Sequence, residues 1–222
     1  MNRINHSSLL YAFIITIAMS HPIYGQVLDK ALFRKTEVMK PEWSSLILPA
    51  TLIAIGTYSI HHTTLINRYA VRDWRNLHTP DFNTRADDIL QFAPIAAGFA
   101  IGVFDEKNKL FLYTRRVILT EVIVSTLVWA VKNQSHILRP NGNDYYAFPS
   151  GHTAEAFAGA TLFSDTYAKG KPWLQVLSFA TATSVGAMRI LKNRHWASDV
   201  VAGAGFGILS AKVSEMVFRP RR

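Results

Sequence analysis

The 222-residue sequence contains no cysteine. Disulfide bonds, zinc–thiolate centres and thiol nucleophiles are therefore excluded. No alternation of apolar and polar residues with a period of two extends over any length, which argues against a β-sheet protein. A repeat of roughly 20–50 residues is also missing, and this argues against solenoid and propeller architectures.

Charge is sparse and of mainly one sign. Charged residues make up 18% of the chain, with 24 Lys and Arg against 15 Asp and Glu, for a formal net charge of +9. A basic balance favours anionic partners such as phosphate esters or anionic lipid surfaces. We expect no nucleic-acid partner, because the dense basic cluster is confined to the last four residues and other cations border apolar segments, as cations beside a membrane do.

The N-terminus has the pattern of a targeting segment. Arg3 precedes an apolar run from Leu9 to Met19, and the small residue Ser20 follows it. A short basic region, an apolar core and a small residue at a plausible cleavage point are typical of a secretory signal sequence. The pattern predicts a signal sequence over residues 1–25, with an uncleaved anchor helix as the alternative.

Apolar runs separated by polar turns predict an all-α protein, a membrane-associated bundle of five to six helices. The runs cover residues 46–59, 89–104, 110–131, 151–168, 173–188 and 200–218. Most are shorter than the about 20 residues that a bilayer span requires, so they fit either core helices or short spans. A periplasmic site requires one run not to cross the membrane. We expect Leu46–Ser59 to lie at the surface or to pack on the bundle.

Three clusters of polar residues stand at the ends of these runs. They are Lys132 with Arg139-Pro140, then Pro149-Ser150-Gly151-His152, and then Arg189 with His195 and Asp199. Each cluster alone is a weak signal. All three in this order, each at the end of an apolar helix, are hard to explain as solvated surface.

The residue types suit a phosphate site. Phosphoryl transfer spreads negative charge over three oxygens, and fixed cations and amide donors can stabilise it. Lys132, Arg139 and Arg189 supply candidate cations, since arginine can bind phosphate through two parallel hydrogen bonds. Ser150 and Gly151 precede a predicted helix, whose first amide groups would point at the anion.

The two histidines suggest two different catalytic roles, a nucleophile and a general acid. Asp199 follows His195 by four residues, so on one helical turn the carboxylate can orient the imidazole and leave its other nitrogen free to attack phosphorus. His152 has no acid at that spacing and is predicted to be the general acid toward the leaving group, and then the base that activates water.

The three clusters resemble the motif set of the type 2 phosphatidic acid phosphatase superfamily, which includes bacterial acid phosphatases and vanadium haloperoxidases. The resemblance implies such a domain over residues 26–222, with its motif core at about 88–217, and a helical bundle that needs no metal or cofactor. It implies catalytic roles for His195, His152 and Asp199. It also implies that phosphate is bound by Lys132, Arg139, Ser150, Gly151 and Arg189.

The resemblance is strongest to membrane-linked lipid phosphatases and implies a phosphorylated lipid as substrate. Lipid A is the preferred one, with undecaprenyl diphosphate and phosphatidylglycerophosphate as alternatives. The expected location is a bacterial inner membrane with the site facing the periplasm. A soluble periplasmic acid phosphatase, a vanadate-dependent haloperoxidase and a non-catalytic membrane scaffold are the rival hypotheses.

Overall fold

The computed structural model describes residues 43–105 and 109–218, and the predicted signal sequence lies outside them. Within these ranges the chain forms helices and loops and no strand. A 3₁₀ turn, Trp43–Leu46, leads into the first of eight α-helices. They are α1 Ile47–Tyr58, α2 Arg68–His78, α3 Ala86–Leu90, α4 Ala93–Val103, α5 Lys109–Ser135, α6 Gly151–Thr166, α7 Pro172–Leu191 and α8 Ala197–Val217.

Six of these helices correspond to the predicted apolar runs. The other two, α2 and α3, come mainly from the polar stretch between the first two runs. Asn67 caps the N-terminus of α2, and its side chain accepts a hydrogen bond from the Ala70 amide at 3.0 Å. Helix α3 has an acidic first turn, Asp87 and Asp88. A separate helix follows it because Pro94, which lacks an amide hydrogen, occupies the first turn of α4.

Helices α6 and α8 form the centre of the bundle. They pack on each other, α7 and α4 flank α6, and α1 and α5 flank α8. Helix α1, which lies within residues 46–59, packs against α8. Small residues make the central contact close, since a Cβ on Gly203 would lie 2.6 Å from the Ser150 carbonyl oxygen and one on Gly207 would overlap the Ala154 backbone.

Two helices are long and apolar enough to cross a membrane, α7 and α8. Helix α8 is half buried inside the bundle, whereas most of α7 lies on the surface. Its exposed side includes Trp173, Val176 and Leu177, each more than half exposed. The bundle therefore presents an apolar helix face on its outside.

The substitution Gly207→Ala tests the close contact between α6 and α8. Alanine normally stabilises a helix by about 1 kcal/mol relative to glycine. Here overpacking against Ala154 is expected to reduce the free energy of unfolding by about 1–3 kcal/mol, measured by thermal unfolding in detergent. Ser184→Ala, on the exposed side of α7, is the control, and equal melting temperatures for both variants would contradict the proposed close packing.

Candidate active site

All the residues predicted for the site lie at one end of the bundle, where α5 and α7 end and where α6 and α8 begin. Two hydrogen bonds tie the motif clusters together. The Ser150 amide donates to the Asp199 carbonyl at 3.0 Å, and the Arg139 guanidinium donates to the Arg194 carbonyl at 3.2 Å. Clusters that are separated along the chain therefore form one site.

A turn and several hydrogen bonds of the backbone position His195 between α7 and α8. Asn193 adopts a positive φ of 56°, a conformation that asparagine tolerates and that ends α7. The amides of Arg194 and His195 then donate to the Arg189 carbonyl at 3.1 and 3.3 Å. On the other side, Asp199 begins α8 by accepting a hydrogen bond from the Trp196 amide at 2.8 Å.

The imidazole of His195 is buried and has a defined tautomer. Its Nδ1 lies 2.6 Å from the Ala147 carbonyl oxygen, which can only accept, so Nδ1 carries the hydrogen and Nε2 keeps a lone pair. This corrects one detail of the sequence-based expectation. The Asp199 carboxyl group lies 3.6 Å from Nδ1, too far for a hydrogen bond, and the Ala147 carbonyl accepts the orienting hydrogen bond instead.

Positive charges surround this imidazole. Burial, and then the charges of Lys132, Arg189 and Arg139, lower the pKa of His195 well below its ordinary value. The imidazole is therefore neutral at neutral pH, the state that a nucleophile requires.

The three cations differ in their hydrogen-bond partners. Lys132 Nζ donates to the carbonyls of Tyr146 and Pro149 at 2.9 and 2.7 Å. Arg139 Nε donates to Asp144 at 2.6 Å. The buried Nε of Arg189 has no hydrogen-bond partner among the described residues, which leaves a donor for an incoming anion.

The first turn of α6 adds backbone donors. Ser150 is buried in an extended conformation before Gly151, and its hydroxyl pairs with that of Thr153 at 2.9 Å. The amides of a first helical turn have no acceptor within the helix, so they form an anion site together with the positive end of the helix dipole.

His152 has an acidic partner that the sequence did not reveal. Its Nε2 lies 2.8 Å from Asp88, which is in α3, 64 positions earlier in the chain. Burial and the Arg189 charge lower the pKa of His152 to about 4, while the hydrogen bond and charge of Asp88 oppose this shift. The spacing argument from the sequence considered only acids close to His152 along the chain.

Asp87 is a second residue that the sequence analysis missed. It is fully buried and accepts hydrogen bonds from Arg189 at 2.6 Å and Lys192 at 2.8 Å. Although burial raises the pKa of Asp87, the hydrogen bonds from Lys192 and Arg189 bring it below its ordinary value. The carboxylate is thus the internal counter-ion of the phosphate-site arginine.

The same acids could in principle hold a metal. Asp87, Asp88 and His152 place one ligand atom each within 4.8 Å of one another. However, Arg189 and Lys192 already neutralise Asp87, and their positive charges disfavour a cation between them. The arrangement suits an anion held by the cations better than it suits a metal ion held by the acids.

The chain is similar in sequence to known phosphatases. Residues 126–221 match the model of the PAP2 superfamily. The lipid A 1-phosphatase of Porphyromonas gingivalis is 35% identical over 156 residues, which cover 67% of this chain and 35% of that protein. An undecaprenyl-diphosphatase of Sulfolobus acidocaldarius is 34% identical over 71 residues, 32% of each protein. The chain spans about a third of the length of these curated relatives.

A solved structure supports the fold. The crystal structure of a transmembrane PAP2-type phosphatidylglycerolphosphate phosphatase from Bacillus subtilis matches with a TM-score of 0.55 and 16% identity, over 76% of this chain and 94% of that one. At this identity the likeness concerns the fold alone. The predicted all-α helical bundle is confirmed.

The protonation states of His195 and His152 predict how the stability of the folded protein depends on pH. Unfolded histidines bind protons below about pH 6.5, whereas His195 and His152 stay neutral in the folded protein. The unfolded state then binds more protons, so the melting temperature should fall as the pH falls from 7.5 to 5.5. Thermal unfolding of wild type and His152→Gln tests this, and the variant should lose less stability over the same range.

His61→Gln, which removes an exposed imidazole far from this site along the chain, is the control for the pH series. It should follow the wild-type curve. An identical loss of stability in wild type and His152→Gln would contradict the neutral state of His152 in the folded protein.

Proposed function

Because residues 126–221 match the model of the PAP2 superfamily, we propose that the chain is a phosphatase that removes a phosphate from a lipid through a phosphohistidine intermediate. One observation carries the proposal. The neutral His195 lies among three fixed cations beside the first turn of α6. This environment stabilises the charge that develops on a transferring phosphoryl group.

In the first step the lone pair of His195 Nε2 attacks phosphorus, and the bond between phosphorus and the ester oxygen breaks. Lys132, Arg139 and Arg189 bind the phosphoryl oxygens. The leaving oxygen takes a proton from His152. The negative charge of the bound phosphate raises the pKa of His152, so this residue gains its proton as the substrate enters.

In the second step water attacks the phosphohistidine. His152, now neutral, accepts a proton from this water, and orthophosphate leaves as the bond between phosphorus and Nε2 breaks. Asp88 lies 2.8 Å from Nε2 of His152 and favours its protonated state. The proposal requires no metal ion and no cofactor, because the fixed cations supply the positive charge.

Three features support a membrane-bound enzyme with a lipid substrate. Helices α7 and α8 meet the length and hydropathy of membrane spans, and α7 exposes its apolar side. Exposed tryptophans occur toward both ends of the bundle, with Trp173 at the start of α7 and Trp129 near the end of α5. Tryptophan is enriched at both interfaces of a membrane. We place the enzyme in the inner membrane with its site facing the periplasm.

Lipid A is the proposed substrate. The support is the similarity to the lipid A 1-phosphatase of Porphyromonas gingivalis, which covers two thirds of this chain. Undecaprenyl diphosphate is the second candidate, and the shorter match to an undecaprenyl-diphosphatase favours it. Both substrates carry a phosphate at the edge of a membrane, as the proposed site requires.

Substitution of the two histidines tests the mechanism. His195→Ala should abolish both turnover and the labelled phosphoenzyme that is trapped by acid quenching. His152→Gln should slow hydrolysis of alkyl phosphates by about 100- to 10,000-fold and that of aryl phosphates less, since their better leaving group needs less protonation. His61→Gln is the control. Undiminished activity in His195→Ala, or activity that disappears with EDTA, would contradict the mechanism.

Mass spectrometry of lipid A from cells with and without the gene tests the substrate. Deletion should add one phosphate to lipid A, and re-expression of wild type should remove it. Re-expression of His195→Ala should leave the phosphate in place. An unchanged lipid A mass on deletion would contradict the lipid A assignment. The same extracts would then be assayed for a change in undecaprenyl diphosphate.

A further inference from the structure

A buried arginine beside the nucleophile has hydrogen-bond donors that the protein does not use. Arg68, the first residue of α2, is 9% exposed. Its Nη2 donates to the Tyr69 hydroxyl at 2.9 Å, but its Nε and Nη1 have no hydrogen-bond partner among the described residues. Leaving such donors unsatisfied is costly in a buried environment. Their position therefore suggests a ligand.

Arg68 lines a narrow, closely packed crevice next to the proposed phosphate site, together with Arg72, one helical turn later, and with His195, Trp196 and Asn193. Its Nε and Nη1 have almost no contact with solvent, so a ligand reaches them when the side chains of the crevice move apart. The crevice thus extends from His195 toward α2, and Arg68 and Arg72 add two further positive charges next to the site.

Trp196 holds both guanidinium groups beside the nucleophile. The guanidinium carbons of Arg68 and Arg72 lie 4.7 and 5.4 Å from the centroid of its ring. The indole Nε1 donates to the Leu138 carbonyl at 2.8 Å, which fixes the ring. Stacking of both arginines on a fixed aromatic ring orients their charges before a ligand arrives.

Internal ion pairs do not account for the two arginines. Arg72 pairs with Asp73 at 2.7 Å, but Asp73 is 63% exposed, and such a surface pair contributes little and can be exchanged for a ligand. Within the part of the chain that the structure describes, no carboxylate lies within hydrogen-bond distance of Arg68. The nearby Asp199 accepts its hydrogen bonds from Trp196 and Ser198 and receives only a long-range attraction from Arg68.

We propose that Arg68 and Arg72 form a second anion-binding subsite, which binds a second phosphate group of the same substrate molecule. The inference rests on the proposed phosphatase function. Lys132, Arg139 and Arg189 bind the phosphate that is transferred, so this subsite binds a remote group and raises selectivity for substrates with two phosphates. Arginine suits this role because its planar donors match phosphate oxygens in pairs.

Kinetics with two matched lipids test the subsite. One is a lipid A with two phosphates, and the other carries only the phosphate that is removed. Arg68→Gln and Arg72→Gln should each lower kcat/KM for the bisphosphorylated lipid about 10- to 100-fold, as loss of a charged hydrogen bond does. Hydrolysis of the monophosphorylated lipid should change less than about 2-fold. Lys171→Gln, an exposed cation before α7, is the control for net charge and should affect neither lipid.

An equal loss for both lipids in Arg68→Gln, with no effect of Arg72→Gln, would overturn the subsite. That result would mean that Arg68 acts through Asp199. Because Arg72 is partly exposed, its variant also tests the proposal if Arg68→Gln fails to fold.

A binding measurement separates the subsite from the catalytic function. If wild type hydrolyses neither lipid, the lipid A assignment fails, and thermal shifts with methylenebisphosphonate and methylphosphonate decide about the subsite. A larger shift with the bisphosphonate in wild type that disappears in Arg72→Gln would support the subsite. Equal shifts in wild type and variant would overturn it.

Discussion

The close contact between α6 and α8 is the constraint on which the site depends. His152 lies in the first turn of α6, and His195 lies just before the start of α8. Glycines at the contact let the two backbones approach, and the hydrogen bond from the Ser150 amide to the Asp199 carbonyl fixes their ends. A larger side chain at this contact would therefore disturb the packing and the geometry between the two histidines together.

Electrostatics is the second organising force. Several cations are held close together beside a buried imidazole, and mutual repulsion would make this arrangement costly without counter-ions. Asp87 neutralises Arg189, and Asp144 neutralises Arg139. Asp87 contacts Nη1 of Arg189, so the Nε donor of Arg189 remains unused among the described residues. Burial and the surrounding cations keep the imidazole of His195 neutral and leave the site attractive to an anion.

The short helix α3 and the amphipathic helix α2 connect this site to the rest of the chain. They come from a polar segment whose function the motif clusters do not indicate. Helix α3 brings Asp87 and Asp88 to within 2.6 and 4.0 Å of Nη1 of Arg189. Helix α2 is held by Arg75, which donates to the Leu191 carbonyl at 2.6 Å, and it brings Arg68 to Trp196. Both helices thus supply charged side chains from outside the apolar helices of the bundle.

The sequence by itself determined the all-α class, the central helices and the residues of the three clusters, because apolar periodicity and the chemistry of phosphate binding depend on local residue types. Only the tertiary structure decided the partners. Asp88 reaches His152 across 64 positions, the Ala147 carbonyl replaces Asp199 as the hydrogen-bond acceptor of His195, and Arg68 lies against Trp196. Such contacts depend on how helices pack, and spacing along one helix carries no information about them.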